Sequence, residues 1–184
     1  RAEHAGAILA AERGHRGIEI SAKPSFGNLL VWKSLYEHEG RYWVDAVRAG
    51  WELSVLAGDS VARLDVSQHL PWLRVQSQQA RDLERFRWFS NDHLAIDNKR
   101  ADFVVDMRYS LLPNEIEGLW GIQLNPSASD EAHVTYEVRR NAGPERIDRM
   151  LGLLFNRASA GLKPLRNPEV VGPPAGGVAP SSYR

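Results

Sequence analysis

The residues best suited to chemistry lie between Asp102 and Trp120. Along a predicted strand over residues 102–109, side chains alternate between faces, so Asp106 and Arg108 share a face with their Cα atoms about 7 Å apart. Arginine can bind a phosphate or carboxylate through two parallel hydrogen bonds, while Asp106 would orient it. An internal ion pair that holds the register of the sheet explains the same two residues without a ligand.

Further polar residues extend this candidate site. Tyr109 ends the predicted strand, and Asn114 and Glu115 follow Pro113 in a loop before the next strand. Three other residues are candidates for buried charge partners: Asp45, Asp65 and Arg85. The candidate ligand-binding residues are therefore Asp106, Arg108, Tyr109, Asn114, Glu115 and Arg85. The sequence assigns no catalytic residue.

Familiar catalytic and metal-binding motifs are missing from the sequence. The six histidines stand singly, outside any HxH, HxxxH or HExxH unit, so each is expected at the surface or in a cap and none as a metal ligand. No GxSxG, SxxK or P-loop motif supports a serine nucleophile or nucleotide hydrolysis. A serine triad assembled from distant residues would leave no such signature.

The composition of the chain excludes several classes of partner and site. The chain has 184 residues, 43% of them hydrophobic, which is enough for the core of one domain. Lys+Arg and Asp+Glu both number 23, so nucleic acid is not an expected partner. The absence of cysteine excludes disulfides and thiolate zinc sites. Without an apolar run of about 20 residues, the sequence predicts a soluble domain. Because it begins at Arg1, we interpret it as a fragment or a processed form.

Three regions are predicted along the chain. Residues 1–16 contain an alanine-rich helix with Gly14 at its C-terminal cap; this helix is either membrane-proximal or an ordinary packing helix that leads into the domain. Residues 17–163 form the soluble domain. Residues 164–184 are rich in proline and glycine, a composition that predicts a disordered tail.

The pattern within residues 17–163 predicts an α+β fold with a mostly antiparallel sheet of about eight strands. The predicted strands cover residues 28–36, 42–47, 51–56, 60–66, 93–96, 102–109, 118–124 and 133–139, with turns at Gly40-Arg41 and Gly58-Asp59. Ser77 caps a predicted middle helix over 78–89, with Asp82–Arg85 and Glu84–Arg87 pairs on its solvent side. A C-terminal helix begins at Pro144 and ends at Gly161. Its apolar face is formed by Ile147, Met150, Leu151, Leu154 and Ala158.

Several aromatic-rich stretches between Lys23 and Leu124 carry a family resemblance. They are KPSFGNLLVW from Lys23, YWVDA from Tyr42, LPW from Leu70, RFRWFS from Arg85, DMRYS from Asp106 and LWGI from Leu119. On these stretches the chain resembles the C-terminal soluble region of the YdjM-like bacterial membrane-bound metal-dependent hydrolases.

The resemblance implies a place for the chemistry outside this chain. In that family a histidine-rich stretch thought to hold a divalent metal lies in a preceding membrane region, and the histidine within residues 13–16 does not supply the paired ligands. We therefore expect this domain to be inactive alone, to contact its own N-terminal membrane region and to lie at the bacterial inner membrane. Basic residues near the predicted first helix favour the cytoplasmic face.

Three hypotheses remain open from the sequence. The first is an accessory or substrate-binding domain of a membrane-bound metal-dependent hydrolase that acts on an anionic small molecule or lipid. The second is a non-catalytic interaction or regulatory module that docks on its membrane part. The third is an independent enzyme that uses Asp106 and Glu115 as acid and base.

Overall fold

A computed structural model describes residues 1–25, 27–139 and 142–165 and confirms the predicted α+β class. In these residues two antiparallel sheets carry five and four strands. The strands are β1 (Ser21–Pro24), β2 (Val31–His38), β3 (Arg41–Ala49), β4 (Leu53–Ala62), β5 (Leu94–Ile96), β6 (Phe103–Asp106), β7 (Trp120–Gln123), β8 (Thr135–Val138) and β9 (Lys163–Pro164). The helices are α1 (Ala2–Glu12), α2 (Val66–His69), α3 (Gln78–Phe89), α4 (Pro144–Leu154) and a short 3₁₀ helix (Ala158–Ala160).

The first sheet is a meander with the order β1-β2-β3-β4-β9. Its β2–β3 hairpin turns through Glu39 and Gly40, both with positive φ (50° and 69°), while His38 pairs with Arg41. Two central residues with positive φ are typical of a type I′ turn, whose twist matches the twist of paired strands. The predicted hairpin is present, but its turn lies at Glu39-Gly40 instead of the predicted Gly40-Arg41, since Arg41 is already paired in β3.

The predicted turn at Gly58-Asp59 is wrong, because β4 runs continuously through both residues. The register between β3 and β4 shifts at this point, because Gly58 and Asp59 together lie opposite the single residue Val44, and the Gly58 N–H donates to Asp45 Oδ1 at 2.9 Å. A Cβ atom at Gly58 would lie 2.3 Å from the carbonyl oxygen of Asn114. Here glycine permits a close backbone approach rather than a turn.

Helix α1 packs one face on the first sheet. Ala2, Ala5 and Leu9 are buried against Val47 and Val55. The other side of the helix is polar or exposed, which is the pattern of a packing helix. No helix among the described residues is long and apolar enough to cross a membrane.

The second sheet has the order β5-β6-β7-β8 and is covered on one face by α3. The middle helix begins and ends at the predicted residues, and its Ser77 cap accepts a hydrogen bond from Ala80 N–H at 3.2 Å. The predicted placement of Asp82 on the solvent side is wrong. Asp82 is buried because its carboxylate accepts hydrogen bonds from His133 and from the Val134 N–H. The opposite face of this sheet meets the first sheet.

The C-terminal region departs from prediction at the end of its helix. Helix α4 ends at Leu154 instead of Gly161, and Asn156 adopts a positive φ of 53° before the 3₁₀ helix. Leu153 provides the most buried apolar contact, whereas Ile147 is exposed. Pro164, the first residue of the predicted tail, lies in strand β9 beside β4. Residues 166–184 of that predicted tail lie outside the described residues.

Candidate functional site

Asp106 and Arg108 form a turn at the end of β6 rather than a pair along one strand face. The Asp106 carboxylate is fully buried and accepts from the Arg108 backbone N–H at 3.0 Å, from Arg108 Nη2 at 2.7 Å and from Trp120 Nε1 at 3.0 Å. This side-chain-to-backbone bond bends the chain, so the strand ends at Asp106 and not at Tyr109 as predicted. The ion pair offered as the ligand-free explanation is present.

The Arg108 guanidinium is held in one orientation. Nη2 also donates to the Phe89 carbonyl at 2.9 Å, and Cζ lies 5.5 Å and 5.6 Å from the rings of Phe89 and Tyr109. The hydrogen bonds that the guanidinium donates to Asp106 raise the pKa of Arg108 above its ordinary value. Among the described residues, no acceptor is bonded to Nη1. Nη1 of a fixed cation is therefore free to donate to a ligand.

Arg108 lines an open pocket of about 410 Å³ where the two sheets meet. The ionisable groups in its wall are Lys23, Arg108, Arg63, His93, Glu19, Glu37 and Asp92. A volume of a few hundred Å³ with converging polar groups is in the range of small-molecule sites. The pocket draws on both sheets, so its parts come together only when the sheets pack.

Two of the acids in the pocket are already neutralised. Arg63 binds Glu37 and Asp92, and Asp92 also receives Arg87 Nη1 at 2.7 Å. Burial alone would raise the pKa of Asp92, but the hydrogen bonds from the two arginines outweigh it and lower the pKa. Lys23 has no ion-pair partner in the described part of the chain. The cations with capacity for an added anion are thus Lys23 and Arg108.

Strained backbone lies at the rim of the same pocket. Asn91 and Asp92 are consecutive non-glycine residues with φ of 50° and 59°. Their carbonyls are used: Tyr42 Oη donates to the Asp92 oxygen at 2.8 Å, and His93 Nδ1 lies 2.7 Å from the Asn91 oxygen. Because Nδ1 is engaged, the Nε2 atom of His93 is the one left for a ligand. Strain of this kind is concentrated at functional sites.

Lys33 is a buried cation next to this site that the sequence reasoning missed. It is 3% exposed, and Nζ donates to Ser110 Oγ at 2.9 Å and to the Glu115 carbonyl at 3.0 Å. Burial lowers the pKa of Lys33 to about 7, against the opposing effect of the Asp106 and Glu115 charges. The sequence did contain a signal for this buried cation: Lys33 stands between Val31 and Leu35, on the side of the strand that faces the core.

Asn114 and Glu115 lie on the other side of this segment, away from the Arg108 pocket. The Glu115 carboxylate is bound by Arg146 at 2.7 Å and Arg149 at 2.8 Å, both on α4. The Asn114 side chain lines a separate cavity of about 340 Å³ between β4 and α4. The structure therefore divides the predicted residue set, and the acid–base pair of the third hypothesis consists of two carboxylates already engaged in ion pairs.

The other predicted charge partners have different outcomes. The Asp45 side chain is fully buried and binds Arg13 Nη1 at 2.8 Å, so it is a buried partner as predicted. Asp65 is exposed and caps α2 by accepting from the Gln68 N–H at 3.1 Å. Arg85 is 72% exposed and reaches only Asp82, at 3.2 Å. Arg85 therefore does not line the Arg108 pocket.

The divalent metal implied by the family resemblance does not fit this domain. Among the described residues no group of three or more His, Cys, Asp or Glu side chains could hold a metal ion.

The rings of His15 and His38 stack with centroids 3.9 Å apart, a contact that single-residue reasoning could not predict. His15 Nδ1 lies 3.1 Å from Tyr36 Oη and so is already engaged.

Comparison of the chain with models of protein families, with curated proteins and with solved structures finds no match in any of the three. The resemblance to the membrane-bound hydrolases therefore stays a prediction from the sequence.

Proposed function

We infer that this domain binds a small anionic ligand in the Arg108 pocket, as the accessory or substrate-binding domain of a bacterial membrane-bound metal-dependent hydrolase. The observation that carries the ligand class is a guanidinium fixed by a buried carboxylate, with its Nη1 unbonded among the described residues, in the wall of a pocket of about 410 Å³. A cation that is already ordered loses little conformational entropy when it binds an anion. The two N–H groups of Nη1 can donate to the oxygens of a phosphate or carboxylate group.

The remaining pocket residues favour the same ligand class. Lys23 adds a cation without an ion-pair partner among the described residues, while Arg63 and Arg87 pair with Glu37 and Asp92. Glu19 is the remaining acid in the wall and lies exposed at the rim. A ligand with one anionic group and a polar body would place the anion between Lys23 and Arg108.

The wider role rests on the family resemblance. In this proposal the domain lies on the cytoplasmic face of the inner membrane, contacts its own N-terminal membrane region and presents an anionic small molecule or lipid substrate to a divalent metal held there. The domain contributes binding and orientation, and no reaction step is assigned to its own residues. Turnover is expected from the complete protein and not from this domain.

Titration calorimetry with inorganic pyrophosphate tests the binding site. Lys23→Ala removes one cation without disturbing a described ion pair, so we expect an affinity loss of about tenfold, equal to about 1.4 kcal/mol. Arg85→Ala is the matched control, since Arg85 is a cation outside the pocket. Equal affinities for the wild type and Lys23→Ala, or no binding by the wild type, would contradict the proposal.

A paired variant tests Arg108 without leaving an unpaired buried charge. Asp106→Asn combined with Arg108→Gln removes both charges while it keeps similar volumes, and it should abolish detectable pyrophosphate binding. Circular dichroism and urea unfolding show whether the variant is folded. A folded double variant with wild-type affinity would contradict the role of Arg108.

A second candidate function is a non-catalytic module that docks on its own membrane region. The observation that favours it is an exposed aromatic surface at β8, the edge strand of its sheet among the described residues: Phe89 is 49% and Tyr136 53% exposed, and both rings contact Phe86. In the complete protein, a Tyr136→Ser change that releases the domain would support docking. Loss of hydrolysis in the folded Asp106→Asn, Arg108→Gln variant, with docking intact, would support the binding function instead.

A further inference from the structure

Two loops at one end of the first sheet expose three apolar side chains. Leu29 and Leu30 precede β2 and are 73% and 41% exposed, while Trp51 in the β3–β4 turn is 99% exposed. The loops lie side by side, because the Ala49 N–H donates to the Leu30 carbonyl at 2.7 Å. We refer to Leu29, Leu30 and Trp51 as the hydrophobic tip.

The shape of the hydrophobic tip favours insertion into a soft surface over contact with a rigid one. Its three side chains lie on loops beyond the ends of β2 and β3, so they project from the sheet instead of lining a groove. Tryptophan carries about 150–250 Å² of mostly apolar surface with one polar N–H, and it is enriched at membrane–water interfaces. Protein hot spots, by contrast, pair with pockets on a partner.

Two guanidinium groups flank the hydrophobic tip. Arg1 Nη2 donates to the Trp51 carbonyl at 3.2 Å, and Arg48 Nε donates to the Leu154 carbonyl at 3.2 Å. Neither arginine has an ion-pair partner in the part of the chain that the structure describes. Glu52 is the acidic neighbour of Trp51 in the same turn. The flanking cations match the charge of anionic lipid headgroups.

We propose that the hydrophobic tip inserts into the interface of an anionic lipid bilayer. Trp51 lies at the headgroup level, Leu29 and Leu30 contact the acyl chains, and Arg1 and Arg48 bind lipid phosphates. This surface is separate from the Arg108 pocket and does not depend on the proposed ligand. Along β2, three positions separate Leu30 from Lys33, the strand partner of Lys23, and seven separate it from Glu37, so the pocket would extend from about 10 Å to about 23 Å from the tip.

Vesicle co-sedimentation of the full 184-residue chain tests the tip. The probe is unilamellar vesicles of one part phosphatidylglycerol to two parts phosphatidylcholine. Trp51→Ala should lower the partition coefficient at least about tenfold, and Leu29→Ser with Leu30→Ser should lower it further. Trp88→Ala is the matched control because Trp88 is 86% exposed but lies at the end of α3; it should bind vesicles as the wild type does.

The outcomes separate lipid binding from its alternatives. Weaker binding to pure phosphatidylcholine vesicles would support the role of Arg1 and Arg48. No binding by the wild type, or equal losses in Trp51→Ala and Trp88→Ala, would overturn the proposal. So would a Trp51-dependent dimer with unchanged vesicle binding, since the tip would then be a self-association surface. Pyrophosphate affinity should be unchanged in Trp51→Ala, and vesicle binding unchanged in Lys23→Ala, so each proposal can fail alone.

Discussion

Arg108 and Lys33 are two sheltered cations in neighbouring parts of the domain, and they differ in what balances their charge. Arg108 has the buried carboxylate of Asp106, whereas Lys33 has a hydroxyl and a carbonyl. Arg108, which has the carboxylate partner, keeps its charge and lines the open pocket. The uncompensated cation is sealed in the core and has its pKa lowered to about 7 by burial. A cation paired with a buried carboxylate therefore keeps its charge and can bind an anion. A buried cation without such a partner has a lowered pKa and loses its proton more readily.

Removal of the carboxylate should produce the largest effect. Asp106→Ala leaves the Arg108 guanidinium and the Trp120 N–H without their shared acceptor, so we expect a loss of about 3–5 kcal/mol in the free energy of unfolding. Urea denaturation measures it. Asp106→Asn keeps an acceptor and should lose less. A loss below about 1 kcal/mol in Asp106→Ala would show that the pair is not needed for the fold.

Lys33 should make the free energy of unfolding depend on pH. Its pKa is about 7 when folded against an ordinary value of 10.5, so between these values the unfolded chain binds more protons. Stability should therefore rise as pH increases from about 7 toward 10.5, with a slope of up to about 1.4 kcal/mol per pH unit from this residue. Urea unfolding across that range should show a smaller slope in Lys33→Met. The exposed Lys99→Met control should keep the wild-type slope; equal slopes in all three proteins would contradict the buried titration.

An ion pair in which the arginine is exposed and the aspartate is buried completes the comparison with the smallest effect. Arg85 is 72% exposed and lies 3.2 Å from Asp82, three positions away on α3. Solvent screens such pairs, so Arg85→Ala should change the free energy of unfolding by less than about 0.5 kcal/mol. A loss as large as that of Asp106→Ala would mean that burial does not explain the difference between the two pairs.

The sequence predicted those parts of the fold whose signals are local. Helix α3 was predicted correctly because Ser77 and the apolar spacing lie within the helix itself. The Gly58 turn was wrong because glycine serves both turns and close approaches, and the approach comes from Asn114, far away in the chain. Likewise the helix predicted to run to Gly161 ends at Leu154, where local propensity did not reveal the turn at Asn156.

Only the central pair of the candidate site, Asp106 and Arg108, could be predicted from the sequence. Asp106 and Arg108 are two positions apart, so their contact followed from spacing, although as a turn and not along a strand face. Arg63 and Asp92 reach the pocket from β4's end and from the turn after α3, and only the packing of the two sheets joins them. Asn114 and Glu115 follow Arg108 closely in sequence, yet in the structure they lie on the opposite side of Lys33.

The most direct test of the anion site is the side-chain Nε–H resonance of Arg108 during a titration with inorganic pyrophosphate, followed by ¹H–¹⁵N NMR. The account predicts saturable shifts at Arg108 and at the backbone amides of Lys23 and His93, with the Arg85 resonance unchanged. Saturable binding that leaves the Arg108 resonance in place would contradict it.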